Sequence, residues 1–134
     1  MLYFKLTSFG VGIFLIAFAL WALLDSKGWT DFQVQKVWRE GNPVVIFSLF
    51  LIHLVLALIG WFLSLKVYRH PYAFLTAGFL TIGAIKLGGV LALYKTFRQA
   101  VVMLLTTEET FRIFFMAGAL LLGSGMFYLG WIIR

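Results

Sequence analysis

Tyr72-Ala73-Phe74-Leu75-Thr76-Ala77-Gly78-Phe79-Leu80-Thr81-Ile82-Gly83-Ala84-Ile85-Lys86-Leu87-Gly88-Gly89 decides how the chain is read. An apolar run of this length crosses a hydrocarbon layer of about 30 Å as a helix. It is interrupted by one ammonium, Lys86, set among small residues. Ala77, Thr81, Ala84, Gly88 and Ala92 recur at helical spacing and form a stripe that another helix can approach closely.

Three further apolar runs flank this one, giving predicted spans over 2–24, 44–66, 72–94 and 108–133. Composition agrees: 63% of the 134 residues are hydrophobic and 12% charged, where soluble domains carry about 25% charged residues. The mean hydropathy is +1.01. We therefore expect an all-α polytopic membrane protein, a single membrane domain of four transmembrane helices in a bundle. The first run meets Asp25-Ser26-Lys27 without a small-x-small cleavage pattern and is read as a retained span, not a signal peptide.

The connection Asp25 to Pro43 is the most polar part of the chain, yet it carries Trp29, Phe32 and Trp38. Thr30 suits a helix cap, with Asp31 in the first turn, Gln33 at the capping-box position and Gly41 beyond the end. This predicts a short amphipathic helix over 31–40 lying in the membrane interface, with Trp29, Phe32 and Trp38 as its interfacial residues. A helix folded back over the span ends fits the same residues. Asn42-Pro43 opens the second span and Pro71 the third. Helical pattern continues past Tyr94 to Leu105 as extra turns that project or bend along the bilayer. Thr106-Thr107-Glu108-Glu109 reads as the capped start of the fourth span.

Small residues mark the expected helix-packing faces. His53, Ala57, Gly60 and Ser64 share one stripe of the second span; Gly83, Gly88 and Gly89 lie on the third; Ala119 and Gly123 stand four apart on the fourth. All five acids, Asp25, Asp31, Glu40, Glu108 and Glu109, fall on the face bearing the long connections. The face bearing the termini and the short connection has Lys5, Lys66, Arg69 and Arg134 and no acid. The basic residues there are concentrated in one short turn and the termini, so this face is assigned to the cytoplasm of a bacterial inner membrane. A plain count of Lys and Arg favours the opposite orientation.

Lys86 and His53 are the candidate contacts for a partner, ligand or lipid. Counted from Tyr94 at 1.5 Å per residue, Lys86 lies about 12 Å deep; counted from Val44, His53 lies about 13 Å deep. A charged lysine at mid-helix costs roughly 2.5–3.5 kcal/mol on insertion scales. It therefore snorkels to a lipid phosphate, pairs with a carboxylate of another subunit, or lines a cavity for an anion or a quinone headgroup.

Other chemistries find no support. With no cysteine, disulfides and thiolate metal sites are excluded. No His, Asp and Glu cluster suggests a metal, no serine or threonine has a histidine and an acid in evident reach, and no glycine-rich phosphate loop is present. Haem would need a second imidazole, and His70 sits at the opposite membrane face. We expect no cofactor and no enzyme. The net charge of +6 is spread over both faces and suits anionic headgroups, not nucleic acid. The expected role is a non-catalytic accessory subunit of a larger membrane complex, its partners being lipids and either other membrane subunits or further copies of itself. The alternatives are a small homo-oligomeric transporter or channel with Lys86 and His53 on its path, and a lipid- or quinone-binding subunit of a membrane enzyme.

Overall fold

The computed structural model describes residues 1–133 and contains six α-helices. They are α1 (Leu2–Leu24), α2 (Ser26–Phe32), α3 (Val44–Leu63), α4 (Pro71–Ala92), α5 (Tyr94–Thr107) and α6 (Glu109–Ile132). Helix α2 runs on into a π-helical turn at Gln33–Val37, and α3 into another at Ser64–Tyr68. Four helices are long and apolar enough to cross a membrane: α1, α3 with its π turn, α4 and α6. Arg134, counted above among the basic residues, lies outside the described residues.

Packing organises the helices as two antiparallel pairs, α1 with α6 and α3 with α4, with much slighter contact between α1 and α4. Glycine sets the first pair. A Cβ on Gly12 would stand 2.6 Å from the Phe127 backbone nitrogen and 2.9 Å from the Gly123 carbonyl oxygen, so the two main chains touch without intervening side chains. Gly123 meets Leu15 and Ile16, and Gly130 meets Phe9. In the second pair Gly60 lies against Ala77 and Gly88 against a Phe50 ring edge.

The pairs are joined at the end that holds both chain termini. Phe4, Ala73 and Ile133 are buried together there, with Leu63 and Tyr72 against them. Ser8 and Thr76, both fully buried, are hydrogen-bonded at 3.2 Å. The Thr76 hydroxyl already donates to the Tyr72 carbonyl, so Ser8 is the donor in this pair.

Local structure departs from the sequence reading at three places. The helix predicted over 31–40 starts earlier, at Ser26, because the Asp25 carboxylate, not Thr30, caps it by accepting from the Gly28 amide. Thr30 instead donates to the Ser26 carbonyl within the helix. The third span stops at Ala92, two residues short of Tyr94, and the chain turns at Leu93 into the separate helix α5. Thr106 and Thr107 end α5 and do not cap α6: their hydroxyls donate back to the carbonyls of Val102 and Met103. Glu108 occupies the cap position of α6 without a side-chain hydrogen bond, and only Glu109 supplies acid to the first turn.

Candidate functional site

At the end opposite the termini, α2 and the π turn that continues it face one stripe inward. Trp29, Gln33 and Val37 recur every four residues and are all buried. Trp29, expected at the interface, is covered completely and packs against Phe18 of α1 and Phe115 of α6, with ring centroids 5.7 and 5.6 Å away. Phe32 is partly exposed and leans on Trp21 at 5.1 Å. Trp38 is half-buried and stacks on Tyr94 at 6.2 Å. Among the described residues the Trp29 Nε1 and Gln33 Nε2 donors, one turn apart, have no hydrogen-bond partner.

Helix α5 is tied to the segment after the π turn. Arg98 donates through Nε to the Trp38 carbonyl at 2.8 Å and reaches Glu40 at 3.7 Å, while the Tyr94 hydroxyl donates to the Arg39 carbonyl at 2.8 Å. Burial pushes the Tyr94 hydroxyl above its ordinary range, against the opposing pull of Arg98. These contacts hold a loop and a helix together.

His53 and Lys86, the two candidates from the sequence, are placed differently. The His53 ring lies over Gly83, where a Cβ would meet its Cδ2 at 2.6 Å; the glycine is what lets the imidazole fit between α3 and α4. Its Nδ1 is 2.9 Å from the Leu49 carbonyl oxygen. A carbonyl only accepts, so Nδ1 is the donor in this bond. Lys86 is one turn further along α4 and exposed, beside Ile82 and Ile85 at 69% and 70% exposure. It forms no ion pair among the described residues. The predicted shared depth is therefore not kept. Lys86 stands six residues before Ala92 and His53 at the level of Gly83, nine before it, so at 1.5 Å per residue the lysine is about 9 Å from the helix end and the imidazole about 13 Å.

The packing candidates divide. Ala57, Gly60, Ala119 and Gly123 are buried within the chain, and Gly83 and Gly88 carry neighbouring rings. Gly89 does not pack internally: nothing lies within 4 Å of the position its Cβ would take. Gly118 and Gly125 of α6 are open in the same way and were not singled out in the sequence, although their spacing of seven residues, two helical turns, marks a common face. Sequence reasoning also passed over Gln33 as a buried donor; its place four residues from Trp29 was the available signal.

Comparison with protein-family models, with curated proteins and with solved structures finds no match to this chain.

Proposed function

We propose that the protein is an integral membrane protein acting as a non-catalytic subunit, recruited to a larger assembly through helix faces that its own fold leaves open. The observation that carries this reading is the exposed Lys86, without an acid, next to the open Gly89. In lipid, helices associate through close packing at small residues and through polar contacts between helices, because apolar surface alone gives no preference over acyl chains. A neighbouring helix seats against Gly89 and offers the ammonium a carboxylate or carbonyl oxygen. Gly118 and Gly125 supply a second such face on α6. The small helix α2 and the segment after it, with Trp29, Gln33 and Val37 inward and Lys36 and Arg39 outward, lie along the interface over the span ends.

The test is extraction from its own membrane in a gentle detergent followed by native mass measurement, for wild type and for Lys86→Met. Wild type is expected to carry other membrane subunits, and the variant to insert normally and lose them. A symmetric homo-oligomer free of other subunits overturns the accessory reading in favour of a small transporter. A variant that assembles like wild type with the same bound lipids reduces Lys86 to a residue reaching for headgroups. We place the end bearing the termini in the cytoplasm; labelling of Ser26→Cys from the cytoplasmic side alone overturns that orientation.

A further inference from the structure

Between the two helix pairs, α4 and α6 leave a groove of about 700 Å³. Leu75, Gly78, Phe79 and Ile82 of α4 form one wall and Met126 and Leu129 of α6 the other, and every lining residue is apolar. Towards the end with the termini lies a second cavity of about 420 Å³, lined by Tyr68, His70, Tyr72 and Ile132 among others. The two lie next to each other along the chain: Pro71 borders the groove, and its neighbours His70 and Tyr72 border the cavity. We propose that the groove holds one acyl chain of an anionic phospholipid whose headgroup is bound at the Arg69–His70 turn. The inference rests on the chain being a membrane protein and names one of its ligands.

Length, charge and donors all favour this occupant. From Pro71 to Ile82 is eleven residues, about 16 Å at 1.5 Å per residue, which matches one leaflet of a hydrocarbon layer about 30 Å thick. The groove therefore spans one leaflet from headgroup level to the midplane. Lys5, Lys66 and Arg69 stand at its mouth end, and all five acids of the chain are at the opposite end. Specific donors are available there. His70 Nδ1 accepts from the Tyr72 amide at 3.4 Å, so the neutral ring carries its proton on Nε2, outside that bond. Arg69 uses only Nε, on the Leu65 carbonyl at 3.4 Å, and keeps both terminal nitrogens for a phosphate. Arg69 also has a left-handed backbone, φ 39°, which lets the chain reverse directly from the π turn into α4, whose first residue, Pro71, borders the groove. A partner helix packed over the groove would cover its apolar walls but leave the basic, acid-free mouth unmatched.

The experiment uses the full chain purified in a gentle detergent and offered equal amounts of phosphatidylglycerol and phosphatidylethanolamine with identical acyl chains, read by native mass spectrometry. One retained lipid per chain is expected, with phosphatidylglycerol preferred about thirtyfold, the attraction expected from a pair of basic residues. Lys66→Gln together with Arg69→Gln is expected to bring the two lipids to parity. Gly78→Phe projects its ring into open space and is expected to lower retention of both lipids severalfold at unchanged helix content. A photo-crosslinking residue in place of the exposed Leu75 is expected to capture lipid in the membrane, and it decides the matter if Gly78→Phe does not fold. Equal retention of the two lipids by wild type, or retention unaffected by Gly78→Phe, overturns the inference, as does a Leu75 crosslink to another polypeptide. Those outcomes leave the membrane-subunit reading standing; recovery of the protein in the aqueous fraction removes both.

Discussion

Replacing Gly12 by alanine tests the α1·α6 contact on which half of the fold rests. The added methyl would lie 2.6 Å from the Phe127 nitrogen, 0.8 Å inside the 3.4 Å at which ordinary contact begins (3.4 − 2.6 = 0.8), and 2.9 Å from the Gly123 oxygen. Both obstacles are main-chain atoms, so no side-chain rotation relieves them and the helices must separate. Gly10 is the matched control: it lies two residues away on the opposite, exposed face of α1, with nothing within 4 Å. Both substitutions add the same helix preference, about 0.5–1 kcal/mol in water, so the difference between them isolates the overlap. Overpacking costs about 1–3 kcal/mol, and rigid main chain on α6 places Gly12→Ala at the upper end. At about 1.4 kcal/mol per factor of ten, an overlap near 3 kcal/mol separates the two unfolding equilibria by about 100-fold. Reversible unfolding in mixed detergent micelles, followed by circular dichroism, measures it. Gly12→Ala as stable as Gly10→Ala would refute the main-chain contact between α1 and α6.

Ser8→Ala and Thr76→Val should each destabilise by about 0.5–1.5 kcal/mol, and the double variant by less than the sum, since both remove the same hydroxyl–hydroxyl bond between α1 and α4; strict additivity in the same unfolding assay would mean that the hydroxyls do not interact. Gly83→Ala is expected to push the His53 ring off the Leu49 carbonyl and lose about 1–3 kcal/mol. In a His53→Ala background the same change should be close to neutral, and an undiminished loss there would show that something other than the imidazole fills the space over Gly83.

The lengths of the spans were legible because each is bounded by its own chemistry. Polar Asp25 stops α1, Pro71 starts α4, and the ends of the apolar runs between such marks fall within two residues of the ends of the helices that form. Which helix pairs with which was not legible. Gly12 and Gly123 each read only as a small residue in a span, and their mutual contact depends on the two helices meeting across more than a hundred residues of sequence. Caps failed for a related reason. A hydroxyl bonds equally well forward to an amide or back to the carbonyl four residues earlier, so Thr30, Thr106 and Thr107 carried no unique message, whereas Asp25 has only acceptors and took the cap. The break at Leu93 has neither glycine nor proline at the turn. It is held from outside, by the stack of Trp38 on Tyr94 and by the Tyr94 and Arg98 bonds to the Arg39 and Trp38 carbonyls.

That break also alters what Lys86 is able to do. With α4 running to Tyr94, Lys86 would stand about 12 Å from the helix end; with α4 ending at Ala92 the distance falls to about 9 Å. A lysine stem spans a substantial part of the shorter distance, so the charge can reach the headgroup level without drawing water into the layer. His53 stays deeper, turned towards α4 and already bonded to Leu49. Two basic groups with one depth and no acid suggested a shared polar path, but one is now an internal packing element and the other an outward-facing donor. Within a single chain they do not line the same space. Of the two, Lys86 is the one exposed, and under the proposed subunit reading the open Gly89 beside it marks where a partner would approach.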